Sequence, residues 1–167
     1  MSRQSRKSNR IIGAAIGIFI IFVLIAGASN LAGAKKTNSL AGLTATVYRS
    51  ATCGCCQGYI AYLRQNGLTV EEKIAGNDDS DLGQIKDQFN VPTDMRSCHT
   101  MRLGGYTIEG HVPIEAIEKL LAEKPSVAGI ALPGMPLGSP GMAGIKSGSF
   151  DVESFTATGS ASLFSRI

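Results

Sequence analysis

Residues 51–67 read ATCGCCQGYIAYLRQNG and hold three of the chain's four cysteines, Cys53, Cys55 and Cys56. Cys53 and Cys56 alone make a C-x-x-C, the spacing of a redox pair or of half a metal site. Cys55 between them suits neither reading in its simple form. Just upstream, LTATVYR at 43–49 is rich in β-branched residues and reads as a strand. Downstream, Cys56, Tyr59, Ile60 and Leu63 recur at i, i+3, i+4 and i+7, one face of a helix that Gly67 ends. The cysteines therefore stand at a strand-to-helix junction. Unpaired amides and the helix dipole favour negative charge there, and so favour thiolates.

The same alternation of elements continues. Leu68, Val70 and Ile74 alternate with polar residues, interrupted on the apolar face by Glu72, and predict a second strand. Asp78, Asp79 and Ser80 are N-cap candidates for a helix carrying Leu82, Ile85 and Phe89, which Asn90-Val91-Pro92-Thr93 breaks. Extended stretches at 95–103 and 106–110 are joined by a Gly104-Gly105 turn. Pro113 suits the first position of a helix with a core face of Ile114, Ile117, Leu120 and Leu121, and Glu115 and Lys119 form an outer i, i+4 pair. Strand, helix, strand, helix, strand, strand, helix is the α/β order of a thioredoxin-like domain. In that fold the place of Val91-Pro92-Thr93 often holds a cis-proline facing the cysteines. The glycines and prolines of AGIALPGMPLGSPGMAG at 128–144 exclude a long helix or a central strand. Residues 150–156 and 161–167 then read as a closing hairpin.

Arg3, Arg6, Lys7 and Arg10 precede an uncharged apolar run at 11–28. A basic flank before an apolar run marks a secretory signal or a membrane anchor. At about 18 residues the run is long for a signal core and just enough to span a bilayer. Small residues at 26–28 and 32–34 would suit a signal peptidase. The expected organisation is a signal peptide or anchor at 1–34, a linker at 35–42 and one domain at 43–167, outside the cytoplasm in the periplasm. The 16 basic residues, less those four, leave 12 against 13 acidic ones, so no nucleic-acid surface is indicated. The remaining length, about 130 residues, supports a single core.

Four cysteines outside the cytoplasm normally mean two disulfides. A Cys55–Cys56 bond would be strained, so the comfortable pairing is Cys53 with Cys56 and Cys55 with Cys98. The metal reading starts from repulsion: three crowded thiolates repel one another, and a shared cation removes that repulsion. A lone disulfide leaves the third thiol idle. Cys98 lies in SCHT at 97–100 beside His99, and His111 is the only other histidine. Met135 and Met142 hold matching places in PGMPLGSPGM at 133–142. Thiolate, thioether and imidazole form a soft donor set that selects Cu(I) over hard cations. Structural zinc usually takes two separated C-x-x-C knuckles, which are absent. The rival reading is a thiol-disulfide oxidoreductase with Cys53 as nucleophile and Cys56 as resolving thiol. Asp78, Asp79 and Asp81 read as a solvated helix start, and Glu109 has no evident partner.

CGCC at 53–56, VP at 91–92, SCHT, GYTIEGHVP at 105–113 and LPGMPLGSPGM at 132–142 occur in one order. In these motifs the chain resembles a bacterial periplasmic metal-binding family that includes CopG-type copper-resistance proteins, over 44–142 and more weakly to 164. The resemblance implies a thioredoxin-like fold, export, and a cysteine-bridged cluster of more than one copper ion. Its ligands would be Cys53, Cys55, Cys56 and Cys98. His99, His111, Met135 and Met142 match the family's other recurrent residues. Copper ions are the implied partners, with other copper-handling or redox proteins, and the membrane if the N-terminal segment is uncleaved. The chain departs from the family at Tyr59, where tryptophan is common, and at Ala143, where glutamate is.

Overall fold

In the computed structural model, which describes residues 39–76 and 79–167, TATVYR forms β1 (Thr44–Arg49). Its alternate residues Ala45 and Val47 are buried, as the period of a strand covered on one face requires. There follow α1 (Gly54–Gln65), β2 (Thr69–Ile74), α2 (Asp79–Gln88), a 3-10 turn (Thr93–Met95), β3 (His99–Leu103), β4 (Tyr106–Glu109) and α3 (Ile114–Glu123). This is the expected order. β5 (Gly129–Ala131), β6 (Asp151–Phe155) and β7 (Ala161–Arg166) complete one mixed seven-stranded sheet ordered β2-β1-β3-β4-β5-β6-β7. β1 runs parallel to β2 and β4 parallel to β5; the other pairs are antiparallel. The described residues belong to the compact unit Asn38–Ile167.

Helices α1 and α3 share one core with the sheet. Tyr59, Ile60 and Leu63 of α1 and Ile114, Ile117 and Leu120 of α3 pack with Val47, Met101, Ile108 and Ile130. Each fully buried aliphatic side chain stabilises by roughly 1.5–3 kcal/mol. The other face carries a smaller cluster of Val91, Met95, Ala131 and Phe155. Tyr48, which alternates with Val47, meets Phe89 just beyond α2, at 5.4 Å between ring centroids. The sheet thus separates α1 and α3 from α2.

Several local expectations need correction. The stretch at 128–144 does contain a central strand, because β5 is only three residues long and ends before Pro133. A proline bars only the backbone positions it occupies, and the three residues ahead of it are free to pair. β3 starts at His99, so residues 95–98 are not strand. The Ser97 amide there bonds to the Glu109 carboxylate at 2.6 Å, and Arg96 caps the Val91 carbonyl oxygen at 3.2 Å. Ile74 is exposed, at the end of a strand paired on one side only. Lys119 pairs with Glu123, 2.5 Å away, and not with Glu115. No peptide bond among the described residues is cis, Pro92's included. Asp78 lies outside the described residues, as does the segment expected to be a signal or anchor. No helix among the described residues is long and apolar enough to cross a membrane.

Candidate metal centre

Cys53 is the N-cap of α1, and its sulfur accepts the Cys56 amide at 3.3 Å. One sulfur thereby satisfies one of the orphan amides that open every helix. Cys55 Sγ lies 3.5 Å from Cys53 Sγ and 3.7 Å from Cys98 Sγ. Cys98 reaches this point because β3 is the antiparallel neighbour of β1, which pairs Arg49 with His99 and brings the start of β3 beside the end of β1. All four sulfur atoms lie within 4.8 Å of one another. A second group overlaps the first: Cys98 sulfur and the ring nitrogens of His99 and His111 also lie within 4.8 Å of each other.

The cysteines are not equivalent. Cys53 and Cys56 form a disulfide, while Cys55 and Cys98 are free thiols. Of the two comfortable pairings only the first is made; Cys55 and Cys98 remain in thiol contact. Burial, followed by the neighbouring Cys55, pushes the Cys98 thiol up to about 12. In the metal-free protein Cys98 is therefore a protonated thiol, and a metal that binds it must displace the proton.

His111 is tied at both ends. Its Nδ1 lies 2.6 Å from the Pro140 carbonyl oxygen and its Nε2 3.1 Å from Cys98 Sγ. His99 Nδ1 is 3.5 Å from Cys98 Sγ, and its Nε2 is buried with no hydrogen-bond partner among the described residues. Desolvation holds both imidazoles below their usual range, His99 further because His111 and Lys86 lie near it. Neutral imidazole is the form that ligates a cation. Tyr59 packs against both, 4.7 Å from the His99 ring and 5.3 Å from the His111 ring, while the two imidazoles meet edge-on at 5.0 Å. The Tyr59 hydroxyl donates to the Val112 carbonyl at 2.8 Å and so anchors the His111 segment.

The methionines part company. Met135 is exposed, has φ 46°, and lines an open cavity of about 490 Å³ with Cys53 and Cys98. Met142 is half-buried and does not line that cavity. Its loop nevertheless leans on α1: a Cβ at Gly58 would sit 2.8 Å from the Gly141 carbonyl oxygen, so only glycine allows this approach.

Two supports escaped sequence reasoning. Arg49, 8% exposed, donates to the carbonyls of Ser50 at 2.9 Å and Ala51 at 3.4 Å, and pairs with Glu72 at 2.8 Å. It braces the turn that enters Cys53. Glu109 does have a partner: its buried carboxylate lies 2.5 Å from Lys86 Nζ. Neither pairing has a sequence signal, because the partners stand 23 residues apart and meet only through sheet and helix packing.

Fold and site together define a small α/β domain with a candidate centre for a soft metal. A family described as "Protein of unknown function, DUF411" matches residues 95–142. The solved structure "Copper resistance protein copG- Form 1" is 39% identical, covering 75% of this chain and 97% of that chain, with a TM-score of 0.67. "Copper resistance protein copG- Form 2" is likewise 39% identical, covering 75% and 98%, with a TM-score of 0.66. Among curated proteins none matches. The chain belongs to the CopG-type copper-resistance family.

Proposed function

We propose that this protein is an extracytoplasmic copper-binding protein that sequesters or handles Cu(I) in copper resistance, through a cysteine-bridged cluster of more than one ion. The observation that carries the reading is the convergence of four sulfurs within 4.8 Å, with two imidazoles sharing Cys98. A thiolate sulfur has lone pairs enough to bridge two cations, and sulfur with neutral imidazole favours Cu(I). Cys53, Cys55, Cys56 and Cys98 bridge copper in this reading; His99 and His111 cap it, and Met135 receives incoming ions at the cavity mouth. Met142 acts through its loop. Use of all four sulfurs requires an external dithiol reductant to pass two electrons and two protons to the Cys53–Cys56 disulfide first, becoming a disulfide itself; the thiol protons then leave as copper binds, since the thiolate is the ligand. We read the element order as thioredoxin-like with β5 to β7 as an extension. The basic flank and apolar run at 1–34, ahead of a linker at 35–42, support export, either anchored or cleaved. Partners are copper ions and, in this reading, other copper-handling or redox proteins.

The test is titration of reduced, anaerobic protein with Cu(I), read by copper-edge X-ray absorption. More than one ion per chain, bonded to sulfur, is expected; protein that binds no Cu(I) refutes the reading. The Cys53–Cys56 disulfide favours a second reading, thiol-disulfide exchange with Cys53 as the attacked or attacking sulfur. Turnover of a dithiol substrate without copper would support it.

A further inference from the structure

Lys86 and Glu109 form the most deeply buried ion pair among the described residues, with side-chain exposures of 6% and 0%. Both carboxylate oxygens are engaged. Oε1 takes Lys86 Nζ at 2.5 Å and the Ser97 amide at 2.6 Å. Oε2 accepts the Thr100 hydroxyl at 2.6 Å, and Lys86 donates to that same hydroxyl oxygen at 2.9 Å. Thr100 and Glu109 are direct cross-strand partners. The carboxylate therefore grips the chain one residue before Cys98 and one residue after His99.

It does so from the far side of the sheet. Successive side chains of a strand leave on opposite faces. His99 faces α1, where its ring meets Tyr59, whereas Thr100 faces Lys86 of α2. Glu109 acts on the metal centre through backbone and strand, not by contact with its imidazoles. Stability is a poor reason to keep such a pair: burying two charges costs desolvation, and well-packed apolar replacements are often neutral or stabilising. A carboxylate is, however, well suited to hold two donors on either side of a fixed dipeptide, because each oxygen accepts from its own direction.

We propose that Glu109, oriented by Lys86, is a positioning residue that sets Cys98 and His99 in the geometry that receives copper. This rests on the copper reading above. Without the clamp, residues 96–98 lie outside any strand ladder and lose their main anchor, so the sulfur shared by both donor groups moves.

The test compares three variants of the full-length chain with wild type, each reduced and challenged with Cu(I) in competition with a chromophoric Cu(I) chelator. Glu109→Asp keeps the charge but draws the carboxylate back by one methylene. The double variant Lys86→Met with Glu109→Leu removes both charges, leaving none unpaired. Lys86→Met with Glu109→Gln removes the charges but keeps an oxygen acceptor for the Ser97 amide. The expected result is at least a tenfold loss of Cu(I) affinity in the first two, with a changed ratio of copper–sulfur to copper–nitrogen bonds by X-ray absorption. The leucine variant, whose Ser97 amide and Thr100 hydroxyl lose their acceptor, melts lower than wild type without metal, so the changed bond ratio, which a merely structural role would not move, is the deciding readout. The glutamine variant recovers most of the affinity. Either of the first two, folded and competing for copper as wild type does, overturns the proposal. So does a glutamine variant as weak as the leucine one. Wild-type protein that leaves all Cu(I) on the chelator fails differently, and overturns the copper reading along with the proposal.

Discussion

His111 gives its Nδ1 proton to the carbonyl oxygen of Pro140 at 2.6 Å. A carbonyl has no proton to donate, so Nδ1 must carry one, and the lone pair is left on Nε2, 3.1 Å from Cys98 Sγ. The methionine loop therefore selects the tautomer of a histidine 29 residues away. Outer partners of this kind orient metal-ligating imidazoles and raise their basicity. In metal-free protein, nitrogen NMR should show His111 as the Nδ1–H tautomer; a dominant Nε2–H form would contradict the arrangement.

Gly141 seats that loop. It has φ 79°, and a Cβ there would collide with the backbone of Gly58 and Tyr59. Gly141→Ala should cost about 2 kcal/mol or more, the left-handed strain and the collision adding. Urea denaturation measures the loss. The His111 tautomer should become mixed in the same variant, as Pro140 withdraws. Wild-type stability together with a wild-type tautomer would show that the loop does not depend on this contact.

Arg49 should matter beyond its charge. Arg49→Ala removes the pair with Glu72 and the bonds to Ser50 and Ala51, and is expected to destabilise by about 2–3 kcal/mol, the range for charged hydrogen bonds in a buried setting. Arg49→Lys should fall between the two, since an ammonium cannot serve a carboxylate and two carbonyls with a planar fork. Denaturant midpoints at matched slope decide it. Equal stability of the lysine variant and wild type would refute the brace.

Glu72 gives an acid-sensitive contribution. The hydrogen bond from Arg49 is the largest influence and, with the bond from Arg64 and the charge of both guanidiniums, outweighs desolvation and holds its carboxyl below the usual range. A depressed folded value stabilises the fold above the unfolded value, about 4.3, and that contribution is lost as the pH falls through the folded value. Glu72→Gln should therefore be less stable than wild type at neutral pH, with the two melting curves converging in strong acid. A gap that stays constant from pH 7 into acid would assign the effect to packing instead.

Cys55→Ser separates the two functional readings. Cys55 takes no part in the Cys53–Cys56 disulfide, so that bond and the fold should survive the change. Copper bound per reduced chain should fall, because the sulfur between Cys53 and Cys98 is gone. Undiminished copper would exclude a bridging role for Cys55.

Much of the frame could be read from residue patterns. The spacing of Cys56, Tyr59, Ile60 and Leu63 marks α1 and its buried face, and those four residues are buried. The amphipathic run after Pro113 likewise marks α3. Where pattern failed, another force decided. β5 escaped notice because a three-residue strand between glycine and proline leaves no period to detect. Ile74 is apolar at an alternating position, yet β2 lies at the sheet edge and leaves it exposed.

The sequence by itself determined which donors this protein owns, and that three of them share one helix start, because those facts are local. The motifs already pointed to Cys98 as the fourth sulfur; only the tertiary structure decided its distance from Cys55, that His111 presents Nε2, and that Glu109 holds the chain on both sides of Cys98 and His99. Each depends on an atom brought from 9 to 43 residues away. Hydrogen bonds and thiol contacts act over a few ångströms, so their partners are chosen by how strands pair and helices pack, not by distance along the chain.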